Sequence, residues 1–322
     1  MQIFRRDLIE THCSGTEWPE FLGSVKVGES FVVETERFNR VNGPIAVESI
    51  RAGDCITVCI EKIDMLPPFE APNGGPFFEG MGDSVHLDYR EGRFLFPNGL
   101  SLPAKPSVGN VAVLPESTDR VLAMARRDLG PPGRRHRGWG WRGVMNDPRG
   151  KHCHQDCRDL TTGAIIHLKA QVDQVGLCLA DVHGYIGQGE VAFAAIEVTA
   201  RIRVRVERST GWYVDWPLIE TEDEIMVFAS DTNLWHGTTD EQYVDVVRRA
   251  YCEMRKVVAV RIGGTISEAN PIVAAALDIR NCAVYGLGNY IQKDGKKADQ
   301  PDRDIAVVGV LPKSVFPAEA EK

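Results

Sequence analysis

The feature that most constrains the fold is a strict two-residue alternation over residues 198–206. Apolar side chains occupy every second position there, and threonine or arginine stands between them. Successive side chains of a β-strand point to opposite faces of a sheet, so the pattern predicts a strand with one buried face and one wet, basic face. Similar alternation predicts strands at Ser30–Glu36, Asp54–Ile60 and 166–173. The continuous apolar run Val175–Ala180 predicts a strand covered on both faces.

Helical periodicity is confined to the last third of the chain. Apolar residues recur at helical spacing from Tyr243 to Val258. Thr265, followed three residues later by Glu268, forms a capping box that predicts a second helix ending near Asp278. We therefore predict a β-rich fold, mainly antiparallel and sandwich- or barrel-like, with a smaller α/β or helical C-terminal portion.

The same contrast in periodicity suggests where the chain divides. We predict a β-rich domain over residues 1–210 and a smaller α/β portion over residues 211–322 packed on it, with one continuous domain as the alternative. The stretch 62–82 is rich in proline and glycine and predicts a long loop within the first part.

Composition and charge narrow the classes of partner and compartment. The net charge is −8, which disfavours nucleic acid and anionic membranes as partners. No run approaches the ~20 apolar residues of a membrane-spanning helix. The first residues lack the apolar core of a secretory signal, so we expect a cytoplasmic protein whose eight cysteines are reduced.

The chain is densest in chemically active side chains around residues 153–197. Asp181 and His183 are two positions apart directly after a predicted buried strand, so an extended backbone places both side chains on one face. His154, Asp156 and Glu190 lie in neighbouring segments, and Glu197 follows. This mixture of nitrogen and oxygen ligands suits Zn²⁺ or another borderline divalent ion, with Ca²⁺ as an alternative.

Other interpretations of these residues stay open at this point. The cluster of histidine and cysteine at residues 152–157 resembles a structural zinc site but lacks the paired Cys-x-x-Cys spacing. A cysteine nucleophile at Cys153, Cys157 or Cys178 would need an activating base. The basic and aromatic run Arg134–Arg142 is interpreted as a solvated loop or as a lid over the active site, with Trp139 as a candidate substrate contact.

Short motifs in a constant order run through residues 18–285. Around the candidate site the chain has Ala180-Asp181-Val182-His183-Gly184-Tyr185-Ile186-Gly187-Gln188-Gly189-Glu190, followed by Ile196-Glu197. This resembles the acetamidase/formamidase family, whose pattern there is Gly-Asp-x-His-Ala-x-x-Gly-Asp-Gly-Glu and then Ile-Glu. Further similar motifs are Val25-Lys26-Val27-Gly28-Glu29, Asn42-Gly43-Pro44-Ile45, Arg51-Ala52-Gly53-Asp54, Asp156-x-x-Asp159-Leu160-Thr161 and Trp216-Pro217 with Glu220-Thr221.

The resemblance implies a β-rich fold, metal dependence in some members of the family, and hydrolysis of a small amide to a carboxylate and ammonia. We also expect a homo-oligomer. Together with the chemistry of these residues, it suggests the following roles: Asp181, His183 and His154 as metal ligands, Glu190 and Asp156 as catalytic carboxylates with Asp156 as a further candidate ligand, and Gly187, Gly189 and Glu197 as substrate contacts. Trp139 is a candidate substrate contact from the basic run alone, where this chain departs from the family.

The chain also departs from the family pattern. His154 replaces an asparagine, Gln188 replaces an aspartate and Ala180 replaces a glycine. These changes, with the basic run, suggest an amide larger or more acidic than formamide or acetamide. A non-catalytic binding or assembly protein on the same fold is the alternative from another class.

Overall fold

The fold is described from a computed structural model of the chain. It describes residues 1–6, 20–37, 41–71, 84–115, 154–191, 195–230, 239–284 and 305–317. The basic run Arg134–Arg142, with Trp139, lies outside these residues, as do Cys13 and Cys153.

Strands dominate the described residues, and two helices lie in the C-terminal part. The strands are β1 (Ile3–Phe4), β2 (Ser24–Val25), β3 (Ser30–Thr35), β4 (Asn42–Val47), β5 (Cys55–Ala71), β6 (Val85–Arg90), β7 (Arg93–Leu95), β8 (Ser101–Pro103), β9 (Ser107–Val113), β10 (Ile165–Lys169), β11 (Val175–Tyr185), β12 (Ile196–Arg208), β13 (Leu218–Glu220), β14 (Glu224–Ser230), β15 (Asp278–Ala283) and β16 (Ala306–Pro312). The helices are α1 (Thr239–Arg261) and α2 (Ile266–Ala276), and a short 3₁₀ helix covers Lys313–Val315. The predicted β-rich fold with a helical C-terminal portion is confirmed.

The strands form one branched, mixed sheet. Its longest path of neighbours runs β15-β16-β14-β13-β10-β5-β12-β11-β4-β2. β3 also pairs with β12, and β9 also pairs with β11. Among the described strands, the pairs β1–β3 and β2–β4 are parallel and the others are antiparallel. The long central strands β5, β11 and β12 therefore carry most of the sheet.

The central strand β12 has the two faces that its sequence predicts. Its inward side chains are fully buried: Val198, Ala200, Ile202, Val204 and Val206. On the other face Arg201 and Arg203 are exposed, and each lies near a glutamate on a neighbouring strand. Burial of apolar area stabilises a fold by roughly 25 cal/mol per Å², so the inward face holds the strand and the arginines stay solvated.

Both helices agree with the sequence. α1 buries Val246, Ala250 and Met254, which recur at helical spacing, against the C-terminal strands. α2 begins after Thr265, whose hydroxyl accepts from the backbone N–H of Glu268 while the Glu268 carboxylate accepts from the backbone N–H of Thr265. No helix of the described residues is long and apolar enough to cross a membrane.

Two predictions about strand boundaries are wrong. Residues 62–71, predicted as loop, continue β5. Pro67 and Pro68 fit because they fall between the paired positions Leu66 and Glu70, where the register against β12 shifts. The loop prediction for residues 72–82 falls outside the described residues.

β11 is likewise longer than expected. It extends to Tyr185, so Asp181 and His183 lie inside the strand and not after it. β13 pairs with β10, so the sheet runs across residue 210, and the division into two parts stays a prediction. No disulfide joins the six cysteines of the described residues to one another.

Candidate active site

Strand register brings three polar side chains into one row. β11 lies between β9 and β12, and Ser107 and Glu197 are both directly opposite His183. Residues that oppose one another in antiparallel strands project from the same face of the sheet. His183 Nε2 is 3.6 Å from Glu197 Oε1, and all three side chains are buried.

The segment 154–156 closes over this row from a loop. The backbone N–H groups of Gln155 and Asp156 donate to the carbonyl of Gly109 at 2.8 and 2.9 Å. The Gln155 side chain bonds to both the N–H and the carbonyl of Val111. These bonds fix the loop to β9 and place His154 and Asp156 against Asp181.

His154 connects two carboxylates. Its Nε2 is 2.7 Å from Asp156 Oδ1 and 2.7 Å from Asp181 Oδ2. The absent side chain of Gly109 makes this approach possible, since a Cβ there would lie 2.9 Å from both Asp156 Oδ1 and Asp181 Oδ2.

Three acidic residues of the cluster have a left-handed backbone conformation. Asp156, Asp181 and Glu190 have φ values of 46°, 62° and 40°. Non-glycine residues adopt this left-handed region at a cost of roughly 1–3 kcal/mol, and such residues concentrate at functional sites. The fold therefore maintains a costly backbone arrangement that aims these carboxylates at one place.

His183 lies at the centre of the cluster. Its Nε2 is 3.5 Å from Asp181 Oδ2 and 3.9 Å from Glu190 Oε1, in addition to its contact with Glu197. Neither ring nitrogen has a hydrogen-bond partner among the described residues, although the side chain is buried. Buried polar atoms are almost always bonded, so this arrangement indicates a binding position for a ligand or cation.

The acidic residues of the cluster differ in pKa. Burial raises the pKa of Glu197 to about 7. Burial and the charge of Asp156 raise the pKa of Glu190 well above its usual range. Burial also opposes ionisation of Asp181, but the neighbouring His183 and His154 outweigh it and lower its pKa. The cluster thus contains one carboxylate that its neighbours keep ionised, Asp181, beside two whose protonated forms burial favours, Glu190 and Glu197.

Two groups of three side chains each have ligand atoms close enough together to hold a metal ion, and the two groups share one residue. They are His154, Asp156 and Asp181, and Asp181, His183 and Glu197. The ligand atoms of each group lie within 4.8 Å of one another, and Asp181 belongs to both. The unbonded nitrogens of His183 and the carboxylate oxygens beside them fit a divalent cation that accepts nitrogen and oxygen ligands.

The structure brings most of the predicted site residues together. His154, Asp156, Asp181, His183, Glu190 and Glu197 are all buried in this cluster. Gly187 is exposed, whereas Gly189 is buried with φ of 92°. Glu190 closes the turn by donating its backbone N–H to the Gly187 carbonyl. Trp139 lies outside the described residues.

Sequence reasoning missed Ser107 and Gly109. Both belong to the run Ser107-Val108-Gly109-Asn110, in which small and polar residues interrupt an otherwise apolar strand. The Ser107 hydroxyl is fully buried and has no partner in the part of the chain that the structure describes. A buried polar residue within an apolar strand was the available signal.

Comparison with known proteins agrees with this geometry. Residues 114–222 match the model of the Acetamidase/Formamidase family, and this segment contains all six buried titratable residues of the cluster. The resemblance to the acetamidase/formamidase family is confirmed. No curated protein matches the chain.

Solved structures share the fold at low sequence identity. A predicted acetamidase/formamidase from Thermoanaerobacter tengcongensis is 20% identical, with 94% of this chain and 92% of that chain covered and a TM-score of 0.69. An acetamidase from Bacillus halodurans is also 20% identical, with coverages of 92% and 93% and a TM-score of 0.65. A gamma lactamase from Delftia acidovorans is 16% identical, with coverages of 94% and 88% and a TM-score of 0.52. These likenesses show that the acetamidase fold extends over nearly the whole chain.

Proposed function

We propose that this protein is a metal-assisted hydrolase that cleaves a small amide to a carboxylate and ammonia. The observation that supports this most is the buried His183, whose ring nitrogens lack partners among the described residues while three carboxylates lie within 4 Å of Nε2. The cluster falls in the segment that matches the Acetamidase/Formamidase family, and the proteins of similar fold are named for amide and lactam substrates.

We assign Asp181, His183 and Glu197 as the cation ligands. His154, our third ligand from the sequence, already contacts Asp156 and Asp181, so we now give it the role of orienting Asp181. A bound divalent cation would supply an acidified water and polarise the amide carbonyl. Glu197, which the sequence suggested as a substrate contact, is thus proposed as a metal ligand.

Glu190 is our proton carrier. Its carboxyl lies in the same buried cluster as His183, and burial raises its pKa well above the usual range. A carboxyl of this kind accepts the proton that the attacking water loses and donates it to the nitrogen that leaves as ammonia. Asp156, our second catalytic carboxylate, adds its charge next to Glu190 and keeps the pKa of Glu190 high.

Substrate contacts are proposed around the same cluster. Ser107 offers a buried hydroxyl to the amide, and the backbone N–H groups of the Gly187–Gly189 turn are candidate donors to the developing oxyanion. Gln188, which departs from the family pattern, is exposed, so this change alters the rim and not the buried cluster. The changed rim residue and the basic sequence of Arg134–Arg142, which lies outside the described residues, both favour an amide larger or more acidic than acetamide.

The decisive experiment is an ammonia-release screen over aliphatic, aromatic and acidic amides, with and without added Zn²⁺ or Ca²⁺. Ring opening of a γ-lactam is followed by chromatography in the same screen. We expect metal-dependent turnover, and Glu190→Gln should lower it by about 10²–10⁴-fold, the range of general acid–base catalysis. Glu253→Gln is the control, because Glu253 is equally buried but lies on α1 beside Lys256.

Three results would contradict the proposal. Full turnover by folded Glu190→Gln removes Glu190 from catalysis. Turnover that iodoacetamide abolishes and a chelator does not would favour a cysteine-dependent hydrolase. Absence of both bound metal and amide hydrolysis would favour a non-catalytic binding protein on this fold.

A further inference from the structure

A second cluster of reactive side chains lies on the sheet surface formed by β12, β5, β10 and β13. His167 on β10 opposes Thr57 on β5, and Ser209 directly follows the last residue of β12. Glu197, the second residue of the same strand, lies in the candidate active site, so a strand rise of about 3.3 Å per residue places Ser209 up to roughly 40 Å away along β12. This cluster is separate from the candidate active site.

The side chains of Ser209, His167 and Glu220, the last of which lies on β13, form a hydrogen-bonded chain. Ser209 Oγ is 2.6 Å from His167 Nδ1, and His167 Nε2 is 2.5 Å from Glu220 Oε1. Lys313 Nζ lies 3.1 Å from the other oxygen of Glu220. His167 is buried, whereas Ser209 is only half-buried and remains accessible.

The ionised state of Glu220 determines which atom donates in each of these hydrogen bonds. Burial of Glu220 raises its pKa, but the hydrogen bond from His167 and the contact with Lys313 outweigh burial and lower it. Glu220 is therefore a carboxylate at neutral pH and accepts the Nε2–H of His167. Nδ1 then carries a lone pair that accepts the hydroxyl proton of Ser209. This is the carboxylate–imidazole–hydroxyl order of an activated serine.

The surroundings supply a wall and hydrogen-bond donors. The Trp212 ring centroid lies 6.5 Å from that of His167, and Phe316 stacks edge-on against Trp212 at 5.9 Å. The backbone N–H groups of Thr210 and Gly211, two exposed residues directly after Ser209, are candidate donors to a developing oxyanion. The Arg261 guanidinium packs over Trp212 beside the same turn.

We propose that Ser209, His167 and Glu220 form a second, metal-independent nucleophilic site that accepts the acyl group of an ester with an apolar acid part. Ser209 Oγ bonds to the ester carbonyl carbon while its proton passes to His167 Nδ1. The bond from that carbon to the alcohol oxygen then breaks, and the alcohol leaves with the proton. Water attacks the acyl-serine in the same way and releases the acid, so one ester and one water become one acid and one alcohol.

The test combines a fluorophosphonate probe, located by peptide mass spectrometry, with hydrolysis of p-nitrophenyl acetate by the full chain. We expect one adduct on Ser209, lost in Ser209→Ala. Glu220→Gln should slow labelling by about 10²–10⁴-fold, as loss of the triad carboxylate does. Thr57→Val is the matched control, because Thr57 Oγ1 contacts the same Nδ1 at 3.1 Å but is buried. In this variant the labelling of Ser209 should equal that of wild type.

Two further measurements separate this site from the amide hydrolase. Chelation and His183→Ala should leave labelling unchanged, and Ser209→Ala should keep wild-type amide turnover. No adduct on Ser209 in the folded wild type, or labelling that is independent of Glu220, would overturn the proposal and leave a structural hydrogen-bonded network.

Discussion

Gly109→Ala tests whether a missing side chain on β9 holds the candidate active site open. A Cβ at this position would lie 2.7 Å from the Asp181 carbonyl oxygen and 2.9 Å from Asp156 Oδ1 and Asp181 Oδ2. Ordinary contacts of a Cβ begin at 3.4 Å, so both carboxylates would have to move by about 0.5 Å and the β11 backbone by about 0.7 Å. Gly109 has no positive φ, so the effect is steric.

We expect two measurable consequences. Overpacking of a dense site costs roughly 1–3 kcal/mol, so the free energy of unfolding should fall by about that amount in a denaturant titration. Because shifts of about 0.5–1 Å in catalytic groups cost up to roughly 10²-fold, kcat/KM for the best amide should fall by about 10–10²-fold, with weaker metal retention.

A second glycine in a strand provides the control. A Cβ on Gly309 of β16 would meet Leu277 at 3.2 Å and Ala250 at 3.3 Å, away from the candidate active site. Gly309→Ala should therefore lower stability slightly and keep the rate per folded molecule. If folded Gly109→Ala keeps wild-type turnover and metal content, the two carboxylates do not depend on this gap and our account of the site is wrong.

Three further outcomes are expected. His183→Ala should lose a stoichiometric divalent ion by elemental analysis, whereas His86→Ala, at an exposed histidine, should keep it; retained metal in folded His183→Ala would remove this residue from the ligands. The pKa of Glu220 is lower in the folded state than its ordinary value of 4.5. Ionised Glu220 therefore stabilises the fold above pH 4.5, and this contribution is lost as the pH falls through the folded-state pKa. Glu220→Gln should thus be less stable than wild type at pH 7, with a difference in unfolding free energy that disappears in acid; a difference constant with pH would contradict this. Thiol titration of the denatured protein should find eight reduced cysteines, and a smaller number would reveal disulfides.

The sequence was most informative where burial imposes a period on the chain. β12 could be predicted because one face is buried and the other solvated, so its two-residue alternation is uninterrupted. α2 could be predicted because its capping box satisfies backbone donors with local side chains. Such features depend on residues close in sequence.

Proline and glycine content was less reliable. It predicted a loop at residues 62–71, but β12 supplies a long partner and a register shift that accommodates Pro67 and Pro68. The end of β11 was missed for a related reason. A left-handed Asp181 and a glycine at position 184 interrupt the apolar pattern, while the ladder with β9 and β12 continues past them.

The site itself shows what a linear pattern leaves out. Asp181 and His183 were found from their spacing, and Glu190 and Glu197 from the density of carboxylates and imidazoles around that pair. Ser107 and Gly109 lie more than seventy positions before His183 and join the cluster only through the register of β9 against β11. Register depends on the packing of whole strands, because a slip of one residue would turn every side chain to the opposite face.

The same register explains why the two proposed reactive clusters can share one sheet without sharing chemistry. At the first end of β12, opposed strands place Glu197 beside His183 in a buried position, where unpaired ring nitrogens and raised acid pKa values favour a cation and proton transfer. Past the other end, Ser209 is half-exposed, and His167 and Lys313 keep Glu220 ionised, which favours a hydroxyl nucleophile without a metal. Both histidines are buried, and their contacts separate them: three carboxylates lie within 4 Å of His183 Nε2, whereas His167 lies between one carboxylate and a hydroxyl. Chelation should therefore stop amide turnover and leave the labelling of Ser209 intact.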